Sequence, residues 1–201
     1  MIQRSGKTLV PALAAFALLF GGSVAIAQQS SSPTTSTQHT SKPATPIMTD
    51  AEFARSAAEA NLAEVKLGNL AQQQGTTQTI KDFGKRMVTD HTQAEDNLKT
   101  AAATSNINLP TTLNAKDEAT YDRLAKLSGE AFDRAYARDM VRDHRGDVIE
   151  FRHEANDGKD AAIKTFASNT LPTLETHLKL AHEMYHSVSA QGTSESKSHS
   201  G

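Results

Sequence analysis

After Asp50, apolar residues recur at intervals of three and four along most of the chain, the period of a helix with one buried face. Phe53, Ala57, Ala60, Glu64, Leu67 and Ala71 form the first such stripe, which predicts a helix from Thr49 to about Gln74, stopped by Gly75. Thr49 and Glu52 have the spacing of a capping box, in which the hydroxyl takes an early amide and the carboxylate reaches back. Ile80, Phe83, Met87, His91, Ala94, Leu98 and Ala101 predict a second helix, from about Thr77 to Thr104. The pattern breaks around Pro110 and resumes in a short helix expected from about Asp117 to Leu127. Phe132, Tyr136, Met140, His144, Val148 and Phe151 predict a fourth helix, from about Glu130 to Asn156. Ile163, Phe166, Leu174, His177, Ala181, Met184 and Tyr185 predict a fifth, from about Lys159 to Val188. Pro172 should kink this last helix, because its ring clashes with the carbonyl of Ser168 and it donates no amide.

Only a few residues join the first long helix to the second, and the fourth to the fifth, so each pair is expected to be an antiparallel hairpin. The connection between the hairpins, about two dozen residues, can travel the length of a bundle and would set the second and fourth helices parallel. The fold class expected is therefore all-α: a ferritin-like four-helix bundle of two antiparallel hairpins, with a long crossover containing a short extra helix. The abundant Ala agrees, since Ala is the best helix former, and no stretch alternates in the manner of a strand.

The ends of the chain change the picture. Arg4 and Lys7 precede an apolar run from Leu9 to Phe20, and Ala25-Ile26-Ala27 has the form of a cleavage site. Residues 1–27 read as a signal peptide, with the mature chain starting at Gln28 in the periplasm or outside the cell. The run contains Pro11, stops at Gly21 and is shorter than the ~20 residues a span requires, so no membrane span is expected in the mature chain. Residues 28–48, rich in Ser, Thr, Pro and Gln, are expected to form a disordered leader and 189–201 a disordered tail, which leaves 49–188 as the bundle domain. The absence of Cys excludes disulfides, thiolate metal sites and lipid attachment at a new N-terminal Cys. The formal charge of −2 has no clustered basic excess and argues against a nucleic-acid partner; a homo-oligomer is compatible with the sequence.

One phrase occurs twice. Met87-Val88-Thr89-Asp90-His91 recurs as Met140-Val141-Arg142-Asp143-His144, with Phe83 and Tyr136 one helical turn ahead of the two Met. Each copy sets a histidine in register with the apolar stripe of its helix. Glu64 and His177 occupy the same register in two further helices, so Glu64, His91, His144 and His177 form a candidate metal set from four helices. A polar side chain on a buried face is costly unless paired, and imidazole with carboxylate suits Fe, Mn, Zn or Cu. Glu95 and Asp147 could add oxygens. Against this stand the missing Glu-x-x-His pairs of di-metal bundles and a level count that separates His144 from His177 by roughly 9 Å along the bundle. The alternative is a set of buried histidines hydrogen-bonded to carboxylates and to one another, with Glu64 pairing with His91. Asp90 and Asp143, displaced by ~100° from their neighbouring His, are expected to face water or a neighbouring helix. His182 and His186, spaced to clamp a metal on a helix surface, lack the His-Glu-x-x-His form and read as a solvated face.

Taken together, Glu64-Val65-Lys66-Leu67-Gly68, Met87-Val88-x-Asp90-His91 and Leu171-Pro172-x-Leu174-x-x-His177-Leu178 give the chain a resemblance to the bacterial domain of unknown function 4142. The resemblance covers roughly Asp50 to Val188 and implies an exported, ferritin-like bundle whose activity is not settled. The outer-membrane label that family carries has no counterpart here, because no barrel strands alternate lipid-facing residues. With no Gly-x-Ser-x-Gly turn, no Cys and no phosphate-cradling loop, no catalytic residue is assigned. The leading expectation is a non-enzymatic exported binding or envelope-stress module with no cofactor. The rival is a metal-binding or redox protein using the interior Glu/His cluster.

Overall fold

The computed structural model describes residues 48–198, with side chains as far as Ala190. The signal peptide and nearly all of the leader lie outside the described residues, as does the end of the tail from 199 to 201. Five helices make up the fold: α1 (Asp50–Gln74), α2 (Gln78–Thr104), α3 (Ala115–Ala125), α4 (Gly129–Asp157) and α5 (Ala161–Ser198). Among the described residues there is no strand, and no helix is long and apolar enough to cross a membrane.

Local chemistry sets the helix ends. Thr49 and Glu52 form the expected capping box at the start of α1, and Thr77 accepts the amide of Ile80 at the start of α2. Asn114 accepts the amide of Asp117, so α3 begins at Ala115, two residues earlier than the apolar pattern suggests. α4 opens on Gly129, whose φ of +60° suits a residue without a side chain. α5 runs through Pro172 and continues to Ser198, ten residues past the end of its apolar stripe. Between Val188 and Ser198 the sequence offers no proline, and the one glycine there, Gly192, weakens a helix by only about 1 kcal/mol.

Two apolar clusters fix the topology. One joins Leu67 and Leu70 near the end of α1, Ile80 and Phe83 near the start of α2, Phe132 and Tyr136 near the start of α4, and Met184 late in α5. The other joins Phe53, Leu98, Val148, Phe151, Ile163 and Phe166 from the opposite ends of the same helices. α2 and α4 thus run parallel, α1 and α5 run the other way, and the fold is two antiparallel hairpins joined by a crossover that carries α3. The hairpin turns are tied across the bundle. Asp133 of α4, almost fully buried, accepts the Thr76 amide between α1 and α2, and Asp50 of α1 accepts the amides of Lys159 and Asp160 between α4 and α5.

The duplicated phrase fills the middle of the bundle. Phe83 and Tyr136 meet edge to face at 6.2 Å, Met87 and Met140 are both fully buried, and His91 faces His144 with ring centroids 5.7 Å apart. The aromatic and histidine positions of the two copies therefore oppose each other between the parallel helices.

Candidate metal centre

His91 from α2, His144 from α4 and His177 from α5 converge on one point between the two apolar clusters. Their ring centroids are 5.3–5.7 Å apart, and one potential ligand nitrogen from each lies within 4.8 Å of the others. All three are buried, with exposures of 3%, 0% and 1%. The roughly 9 Å offset counted between His144 and His177 on ideal helices is not found: their rings are 5.3 Å apart. α5 starts at Ala161 rather than Lys159, which shortens the offset. Side chains also lean toward the N-terminus of their own helix. On an antiparallel pair those leans carry the two rings toward each other.

Each ring is held by one nitrogen. His91 Nδ1 donates to Asn61 Oδ1 at 3.0 Å, and Asn61 in turn donates to Glu95, which fixes the orientation of its amide. His144 Nδ1 donates to the Met140 carbonyl at 3.0 Å, and His177 Nε2 donates to Asp90 Oδ2 at 2.8 Å. The remaining nitrogens, His91 Nε2, His144 Nε2 and His177 Nδ1, are buried without a hydrogen-bond partner. In neutral rings held this way each of these nitrogens carries a lone pair. The interior thus contains three acceptors and no donor for them, a costly arrangement unless a cation is shared. Burial is the first cause holding His91 well below the ordinary imidazole value and His144 at about 3, and repulsion from the neighbouring rings adds to it. Burial lowers His177 as well, against its hydrogen bond to Asp90, which favours the charged ring. The cluster is therefore neutral at physiological pH, the form in which imidazole binds metal.

The other candidates fall elsewhere. Glu64 is not in the group and does not pair with His91. α1 and α2 meet closely at Gly68 and Gly84, and this register sets Asn61, not Glu64, against His91. Glu64 is buried with Oε2 unpartnered and lines a cleft of about 570 Å³ between α1, α3 and α4, together with Asp117, Asp143, Asp147 and Glu150. Burial and then Asp147 and Asp143 push its pKa well above the carboxylate range, and burial and then Glu150 raise Asp147 to about 8. Glu95 reaches the centre only through Asn61. His182 and His186 stack on the outer side of α5, with ring centroids 6.4 Å apart.

Two orienting residues escaped the sequence reading. Asn61 sits four residues after Ala57 and three before Glu64, in register with the α1 stripe, so its position carried a signal. Asp90 faces a neighbouring helix as expected, and there it holds His177. Its counterpart Asp143 turns the other way, into the acidic cleft beside Arg142. The repeat gave no sign of that difference.

The pattern of the domain of unknown function DUF4142 matches residues 33–184. The chain belongs to the DUF4142 family. No curated protein matches it significantly. Three solved structures share the fold of this DUF4142 chain. The DUF305 fragment from Deinococcus radiodurans superposes with a TM-score of 0.60 at 14% identity, over 72% of this chain and 99% of that one. CopM in the Cu(I)-bound form gives 0.58 and CopM in the Cu(II)-bound form 0.59, each at 15% identity over 70% of this chain and 97% of CopM. At these identities the likeness is one of fold.

Proposed function

We propose that this protein is an exported metal-binding bundle that holds one transition-metal ion on His91, His144 and His177. The observation that carries this reading is the three buried, partnerless ring nitrogens, each on a ring whose other nitrogen is already committed. Metal-bound histidines characteristically donate their second nitrogen to a carbonyl or carboxylate, which fixes the tautomer and aims the lone pair. Here Asn61, the Met140 carbonyl and Asp90 do so. A cleft of about 270 Å³ between α2 and α5, with Asp90, His91 and His177 in its wall, supplies a route from solvent. Three imidazoles suit Zn, Cu, Fe or Ni, and the copper named for CopM supports copper among these. Export rests on the signal-peptide pattern from Arg4 to Ala27.

Elemental analysis of full-length protein made without a histidine tag tests the reading. One equivalent of metal per chain is expected, falling below a tenth of an equivalent in His91→Ala/His144→Ala. Wild-type protein that stays metal-free after incubation with Cu and Zn would overturn it.

A further inference from the structure

Resting on the three-histidine reading, we infer that the centre is built for a monovalent soft ion, Cu(I), in preference to Zn(II) or Cu(II). Three observations lead there. First, three imidazoles are the His, Cys and carboxylate donors that converge. Among the described residues no carboxylate joins His91, His144 and His177 within ligand distance. Second, the three ligand nitrogens are themselves buried behind the cleft wall, and Phe83 packs edge to face on His144 at 6.1 Å. Zn(II) in proteins is almost always four-coordinate and Cu(II) prefers tetragonal N,O sets, so each would have to import a fourth ligand into this interior. A d10 monovalent ion is content with three nitrogens. Third, the donors are neutral and the charge beside them is small. Asp90 is the carboxylate in direct contact with a site histidine, and the half-exposed Arg86 shares it at 3.7 Å. That single carboxylate offsets at most one positive charge, and a divalent ion would leave more excess charge buried than a monovalent one.

Asp90 then acts as a positioning residue. By accepting from His177 Nε2 it makes Nδ1 the ligand atom of that ring, while His91 and His144 present Nε2. The centre therefore mixes one δ and two ε nitrogens. Asp90→Asn keeps an acceptor oxygen in place but withdraws the negative charge, and loss of such a partner characteristically lowers metal affinity by about 10–100-fold.

The test is an anaerobic competition titration of the full-length, metal-free protein with Cu(I) against a chromophoric Cu(I) chelator. Parallel titrations use Zn(II) and Cu(II), and X-ray absorption is measured on the Cu(I) form. Expected are one Cu(I) per chain on three nitrogen donors, Zn(II) and Cu(II) held at least a hundredfold more weakly, and loss of binding in His144→Ala. In Asp90→Asn the Cu(I) affinity should fall and Zn(II) should fall further, because the withdrawn charge acts twice as strongly on a divalent ion, so that the preference widens; a purely structural role would weaken both equally. Zn(II) binding as tightly as Cu(I), or a fourth light-atom donor in the absorption data, would overturn the Cu(I) inference and leave the metal-site reading standing. Failure of every ion to bind would overturn both.

Discussion

Glu154 is an interior carboxylate whose environment works against its charge. It lies near the end of α4 with 3% exposure, Oε1 has no partner, and burial followed by Asp50 raises its pKa to about 7. In the unfolded chain it titrates near 4.5. Between those values the unfolded state is ionised and the folded state is not. Stability is therefore fully present below about pH 4.5, falls as pH rises through 7, and levels off above that. Glu154→Gln keeps the shape and a donor toward Asp50 but removes the ionisation. It should raise the melting temperature by a few degrees at pH 8 and leave it nearly unchanged at pH 5; equal melting temperatures for the two proteins at pH 8 would show that the carboxylate is comfortable there. Nothing in the sequence singled out Glu154, because a lone Glu near a helix end looks like a solvated residue. Its burial comes from the α4–α5 turn and the Asp50 side chain folding over it. The site histidines were legible for the opposite reason: a polar residue in the middle of an apolar stripe is visible without tertiary contacts. What could not be read was which nitrogen each ring presents, since that depends on partners as remote in sequence as Asn61 for His91 and Asp90 for His177.

At the scale of elements, α1 and α2 are held together by a glycine contact. A Cβ on Gly68 would meet the Gly84 carbonyl at 2.6 Å, and a Cβ on Gly84 would meet the Gly68 carbonyl at the same distance. Both obstacles are backbone, which does not yield as a flexible side chain does. Gly84→Ala should therefore push the hairpin apart, costing about 1–3 kcal/mol, and should weaken metal binding by lengthening the Asn61–His91 hydrogen bond two turns away. Gly146→Ala is the control. Its added Cβ meets nothing, so this exposed helical position should gain roughly 0.5–1 kcal/mol. Denaturant melts of the two variants that move in the same direction would contradict this packing. Met87→Ala and Phe151→Ala, one in each apolar cluster, should each lose about 2–5 kcal/mol, because both side chains are buried and would leave cavities. The long helices themselves were readable because each carries an apolar stripe, and four of the five helices open on a side-chain cap. The Gly68–Gly84 crossing was not, because a glycine inside a helical pattern does not say which neighbour it admits. That crossing fixes the register which puts Asn61 rather than Glu64 against His91.

At the scale of the molecule, the histidine layer lies where the two hairpins meet. His91 belongs to the α1–α2 hairpin, and His144 and His177 to the α4–α5 hairpin, so an ion on the three rings joins halves that are otherwise held by apolar packing and by turn ties such as Asp133 to Thr76. Such an ion binds the folded chain and not the unfolded one. At a free concentration a hundredfold above its dissociation constant it should add about 2.7 kcal/mol, or roughly 5–10 °C in melting temperature for a domain of this size. Loading should also slow amide exchange in α2, α4 and α5 together, because opening either hairpin now requires the ion to leave. Two variants decide which residues carry the effect. His144→Ala removes a ligand and should abolish the metal-induced shift, in addition to lowering the metal-free melting temperature through the space it leaves. Glu64→Gln should leave the shift intact. Glu64 occupies the same stripe register as the histidines, yet it lines the acidic cleft on the α3 side, and the group within ligand distance does not include it. If Glu64→Gln abolished the shift as His144→Ala does, the ion would be reaching α1 as well, and the four-residue set of Glu64, His91, His144 and His177 would be the correct description of the centre.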